Sequence, residues 1–209
     1  MTLNITTGIL IVTIASSFYA WNQEHIYKKW ILNPYQVKHH HQYWRFITSG
    51  FVHINYMHLF FNMFALFFFG QNVAYYFGSN GDIFMLMLYL LGIIISDIPT
   101  FVKYQNMPNY NSLGASGGVA AVVFSSIMFD PLNLIMIFPI PFGIPGFILG
   151  ALYLIYSYYQ GKRMSDNINH DAHLFGALFG LIFTVVLRPT VVLNFISEVT
   201  LWAQQFLGL

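Results

Sequence analysis

Apolar residues in this chain run in long, almost uninterrupted blocks, not in the narrow stripes of a water-facing helix. A segment of about 20 mostly apolar residues crosses the roughly 30 Å hydrocarbon layer of a bilayer. Six such blocks are predicted as helices: Leu3 to Trp21, His53 to Phe77, Ile83 to Phe101, Ser116 to Phe129, Ile144 to Tyr159, and Asn169 to Leu187. The fourth is too short for a full crossing. It therefore predicts a helix that begins below the membrane surface, where only protein or a wet cavity can satisfy the non-helical backbone leading into it.

The polar intervals complete the plan. Residues 22–52 mix Lys28, Lys29, Lys38, His39-His40-His41 and Arg45 with the aromatic residues Tyr27, Trp30, Tyr35, Tyr43, Trp44 and Phe46, the composition of a headgroup-level segment. Pro139, Pro141 and Pro145 punctuate the approach to the fifth helix. The tail after Pro189, residues 190–209, is expected to lie in the interface or to pack back on the bundle. No repeat and no second domain are visible, so residues 1–209 form one membrane domain. The first block lacks the basic flank of a cleaved signal peptide and is read as a retained span.

Composition narrows the class. Hydrophobic residues make up 57% and charged residues 7%, where soluble domains carry about 25% charge. A formal net charge of +1 with no basic run gives no reason to expect nucleic acid. The absence of cysteine removes disulfides, thiolate nucleophiles and Cys-ligated metals. The lipid bilayer is the expected surrounding.

Ionisable and polar side chains are costly inside such blocks, so each is a functional candidate. Gly114-Ala115-Ser116-Gly117-Gly118 places a serine among small residues at a helix start, where free N–H groups and the helix dipole favour a developing oxyanion. A glycine-rich packing face with Ser116 as helix cap fits the same residues. His173 precedes Gly176 and Gly180, a small-residue stripe that lets two helices approach closely. A serine needs a base within reach, and histidine titrates near neutrality. His58 and Asn62, one helical turn apart, share a face and could aim two donors at one point, or could serve as interhelical glue. His53, off that face, is expected to hold the adjoining loop.

Taken in order, Trp44-Arg45, His53-x4-His58-x3-Asn62, Gly114-Ala115-Ser116-Gly117 and Ala172-His173-x2-Gly176-x3-Gly180 resemble the core of the rhomboid family, over about residues 44–187. The resemblance implies an all-α, six-transmembrane-helix bundle and a Ser116–His173 dyad without a third acidic member or a cofactor. It further implies that Asn62, His58 and the Ser116 N–H hold the oxyanion, while Trp44, Arg45, His53, Gly114, Gly117, Gly176 and Gly180 support the site. The implied substrate is a transmembrane helix of another protein, the fifth helix a lateral gate, and both termini cytoplasmic. Counting Lys and Arg alone places both termini on the other side.

Two positions depart from the family pattern. Ala120 stands where many relatives have a tyrosine packing on the histidine, so His173 must be held by another group. Ala74 stands where several have a buried glutamate, for which Gln71 or Asn72 is the expected substitute. Two other readings compete. His39-His40-His41, His53-x4-His58 and His170-x2-His173 loosely resemble the histidine boxes of membrane di-iron desaturases, which would leave Asn62 and Ser116 without a role, and an inactive rhomboid-like protein would bind membrane clients without cutting them.

Overall fold

A computed structural model describes residues 4–136, 141–163 and 168–208; Pro139 lies outside them. Among the described residues ten α-helices follow one another: α1 (Ile5–Trp21), α2 (Glu24–Trp30), α3 (Pro34–His40), α4 (Arg45–Thr48), α5 (Tyr56–Phe77), α6 (Gly81–Tyr104), α7 (Ser116–Phe129), α8 (Gly146–Arg163), α9 (His170–Leu187) and α10 (Val191–Leu207). The all-helical expectation needs one amendment. Between α7 and α8, where only proline punctuation was visible, Leu134–Ile135 (β1) pairs antiparallel with Ile144–Pro145 (β2).

Helix starts follow capping chemistry. Asn4, Asn55 and Asn169 each turn a side-chain oxygen to the N–H three residues on, satisfying one of the donors a helix start leaves open. Helix α5, the second apolar block, thus begins at Tyr56, and His53 falls in the connection before it. Two stretches, Tyr56–Tyr104 and His170–Leu187, are long and apolar enough to cross a bilayer; Ile5–Trp21 and Ser116–Phe129 are apolar but shorter. The 49-residue stretch turns at Gly78–Asn80 and doubles back as α5 and α6. At 1.5 Å per residue, α7 is only about 21 Å long.

Small residues set the spacing of α6, α7 and α9. A Cβ at Gly176 would overlap the Gly117 carbonyl oxygen, one at Gly180 the Ala121 carbonyl oxygen, and one at Gly117 the Ser96 hydroxyl on α6. A Cβ at Gly118 would lie 2.8 Å from the Tyr89 carbonyl oxygen. Backbones are in contact there, so α7 is enclosed, and the residues Ala115, Ala121 and Val122 are fully buried. The main core of α1, α5, α6 and α7, around Leu66, Phe77, Leu88 and Tyr89, includes no buried residue of α8. Helix α8 joins through a separate cluster in which Tyr153 and Leu154 pack on Ala120, Phe124 and Ala177.

The interval 22–52, expected as one interfacial loop, is built from α2, α3 and α4. Arg45, almost wholly buried, ties it together: Nε donates to Gln42 Oε1 at 2.7 Å, and Nη1 donates to the carbonyls of Lys28 and Ile31 at 2.9 and 2.6 Å. Trp44 stays exposed beside it. The loop is also bonded to the strand leading to α7, because Leu32 and Ser112 exchange two backbone hydrogen bonds of 2.9 Å. At the other end of the molecule, the base of α8 is bound to the ribbon region. Gly146 N–H donates to the Asn133 carbonyl and Phe147 N–H to the Pro131 carbonyl, both at 3.0 Å. The Phe147 ring meets Trp202 of α10 at 5.2 Å.

Candidate active site

Ser116 is the first residue of α7, and its approach is held by two backbone N–H bonds. The Gly114 N–H donates to the Ser49 carbonyl at 2.9 Å, and the Ala115 N–H donates to His53 Nε2 at 3.3 Å. That second bond fixes the His53 tautomer. Nε2 accepts, so Nδ1 carries the proton and donates to the Ser17 hydroxyl at 3.0 Å, which itself donates to the Phe51 carbonyl at 3.1 Å. The His53 carbonyl accepts Trp21 Nε1 at 2.7 Å. Fully buried His53 therefore clamps α1, its own loop and the segment before Ser116 together.

Gly114 has φ +119°, a conformation that side chains disfavour, and a Cβ there would lie 2.9 Å from His58 Nε2. The glycine brings the His58 imidazole against the chain two residues before Ser116. On the next turn of α5, Asn62 is buried and donates Nδ2 to the His58 carbonyl at 2.8 Å. One of its amide protons is therefore committed within the helix. His58 Nδ1 is buried with no hydrogen-bond partner among the described residues.

His173 stands on the first turn of α9, whose start is fixed by Asn169. Its Oδ1 accepts the Ala172 N–H at 3.1 Å, while Nδ2 donates to Thr100 Oγ1 at 2.9 Å and Ser112 Oγ at 3.0 Å. One side chain thus ties the histidine-bearing helix to α6 and to the strand before Ser116. The group stacked on His173 comes from α8: the Tyr153 ring lies 6.2 Å away at an interplanar angle of 21°. Ala120 lies in the same apolar cluster.

These side chains meet in one cavity of about 390 Å³, lined by Ser116 and Ala120 from α7, His58, Phe61 and Asn62 from α5, Tyr153 and Gly150 from α8, and His173 from α9. The wall formed by Phe69, Phe124 and Ile127 is apolar. A hydroxyl, two imidazoles and an amide gathered at one end of an apolar recess can support acyl transfer: a nucleophile, a base and donors for a developing negative charge. Gly117, Gly176 and Gly180 do not line it. They set the backbone contact of α7 with α9 that brings Ser116 and His173 to the same recess.

The remaining expectations fall out differently. Gln71 and Asn72 are exposed, so neither takes a buried acidic place near Ala74. Residues His39, His40 and His41 are exposed at the end of α3, with Tyr35 at 4.2 Å from the His39 ring. Among the described residues no three His, Asp or Glu side chains gather as metal ligands. The sequence reading missed Ser17, Asn169 and Tyr153. Asn169 had a signal, an Asn at the start of the sixth apolar block; Ser17 and Tyr153 had none, since each acts across a helix interface.

Helices packed through glycine contacts around a recessed serine and histidine define a class of membrane-embedded protein. The family model for the rhomboid domain matches residues 40–190, and the chain belongs to the rhomboid family, whose members are integral membrane proteins. It is 31% identical over 147 residues to RHOMBOID-like protein 12, mitochondrial, of Arabidopsis thaliana, covering 63% of this chain and 42% of that protein. It is 31% identical over 141 residues to the rhomboid protease GlpG of Haemophilus influenzae, covering 67% of each. The match thus spans less than half the length of the first relative and about two thirds of the second.

Proposed function

We propose that this chain is an intramembrane serine endopeptidase that cuts a transmembrane helix of another membrane protein. The observation that carries the reading is the shared recess of Ser116, His173, His58 and Asn62. His173 takes the Ser116 proton, and the Ser116 oxygen attacks a substrate carbonyl. The resulting oxyanion is held by the Ser116 N–H at the start of α7, by the Asn62 amide proton not committed to His58, and by the His58 ring. Collapse expels the amine, which takes the proton from His173, and water then releases the acyl group.

A transmembrane substrate hides its carbonyls in helical hydrogen bonds, so the cut falls where small or helix-breaking residues let it unwind. The whole chain acts as one membrane domain with six spans formed by α1, α5, α6, α7, α8 and α9, and with both termini cytoplasmic. Residues 22–52 lie in the interface, and α8 is the side through which substrate enters. The relative named as a protease and the apolar character of α1, α5, α6, α7 and α9 support that arrangement. The test is cleavage of a model transmembrane substrate in detergent. Ser116→Ala and His173→Ala each abolish it, and full activity in either variant overturns the dyad.

A further inference from the structure

Tyr153 occupies a place that nothing in the reaction itself requires. It projects from α8, yet its ring is set between Phe124 of α7, at 5.7 Å and 47°, and His173 of α9, at 6.2 Å and 21°. One helical turn along each helix the pattern repeats: Tyr156 of α8 meets His170 of α9 edge-on at 5.5 Å, and His170 meets His173 at 5.9 Å. Residues three apart share a helix face. Two tyrosines of α8 therefore interlock with two histidines of α9, and the histidine in the recess is held by the inner tyrosine.

We propose that Tyr153 is a positioning residue that fixes the plane of the His173 imidazole and makes it depend on α8 being seated against the bundle. The inference rests on the protease reading. Rotation of an imidazole about its last torsion is broad, so its plane is set by what flanks it. A flat ring stacked on one face confines that rotation and aims a ring nitrogen toward Ser116. Room for the ring exists because residue 120 is alanine, whose methyl belongs to the same buried cluster as Tyr153. Tyr153 is also one of the two residues through which α8 enters that cluster, while the larger core has no buried residue from α8. The contact that orients the base is thus one of the contacts that seat α8, beside the close packing of Gly150 on Ile127 and Phe124.

The test compares Tyr153→Phe, Tyr153→Leu and Tyr153→Ala with the wild type, measuring kcat and KM for a model transmembrane substrate and the labelling rate of Ser116 by a small fluorophosphonate. A flat ring is required and the hydroxyl is not. Tyr153→Phe accordingly stays within about threefold of wild type, and Tyr153→Leu, which fills the space without a plane, loses about 10- to 100-fold in kcat with KM little changed. Fluorophosphonate labelling falls in parallel, because that probe is too small to need α8 to move. Pairing Tyr153→Ala with Ala120→Tyr, which offers a ring from α7, recovers part of the rate. Leu equal to Phe, or a loss confined to KM, overturns the proposal. If Tyr153→Ala does not fold, the Phe and Leu pair still decides. A wild type that neither cleaves nor labels overturns the protease reading instead.

Discussion

The Nε2 atom of His53 accepts the backbone N–H of Ala115 at 3.3 Å, one residue before Ser116. A side chain 62 positions upstream thus holds the strand that delivers the serine, and its other nitrogen is bound to Ser17 of α1. Replacing it by alanine leaves the Ala115 N–H buried without its acceptor. His53→Ala is expected to lose about 2 to 4 kcal/mol of stability, from unsatisfied buried groups and a void in the packing. A thermal melt in detergent measures this, and an unchanged midpoint would show that the clamp contributes little.

Asn62 offers the cleanest test of oxyanion binding. Truncating a single such donor costs about 10²- to 10³-fold in kcat in serine proteases. Asn62→Ala should show that loss in kcat with KM nearly constant, whereas a residue serving only as glue would lower the melting midpoint and spare kcat.

Glycine contacts predict an asymmetric mutational pattern. Gly176→Ala forces a methyl into the Gly117 carbonyl oxygen, where backbone cannot give way, and should cost about 1 to 3 kcal/mol with a fall in activity as α7 and α9 separate. Gly8 in α1 has nothing within 4 Å of its missing Cβ. Gly8→Ala should therefore stabilise by up to about 1 kcal/mol. Equal effects of the two changes on the melting midpoint would contradict the packing described.

Asn169 joins the start of α9 to Thr100 and Ser112. Loss of a helix cap costs about 0.5 to 2 kcal/mol. Asn169→Ala is expected to reduce kcat out of proportion to its loss of stability, since the bonds it breaks relate the two halves of the site. Asn169→Asp keeps the cap acceptor while losing both amide donors; it should melt close to wild type and still cleave slowly.

Much of this was legible in the chain. The bounds of α7 coincide with the expected fourth block because glycine at 114 and the small residues after Ser116 mark the start of the helix. The second block was placed three residues early, because His53 reads as part of an apolar run while Asn55, accepting the His58 N–H at 2.8 Å, decides where the helix begins. Residues 22–52 carried no period that reveals three helices; their order comes from Arg45 reaching carbonyls 14 and 17 positions away. Tyr153 was invisible for a similar reason. The family resemblance implies that alanine at 120 leaves His173 to be held by another group, and only the crossing of α8 over α7 and α9 shows which ring arrives.

The fastening of α8 to the β1–β2 region at Gly146 and Phe147 turns the helix into a lever. Its 18 residues make a shaft about 27 Å long. A tilt of about 10° about the fastened end would carry the Arg163 end by about 5 Å and Tyr153 by about 2 Å, with the ribbon undisturbed. Opening the flank of the molecule and unstacking His173 would then be one motion, so under the proposed protease reading a helix arriving from the lipid would meet a base that regains its aim only after the flank swings home.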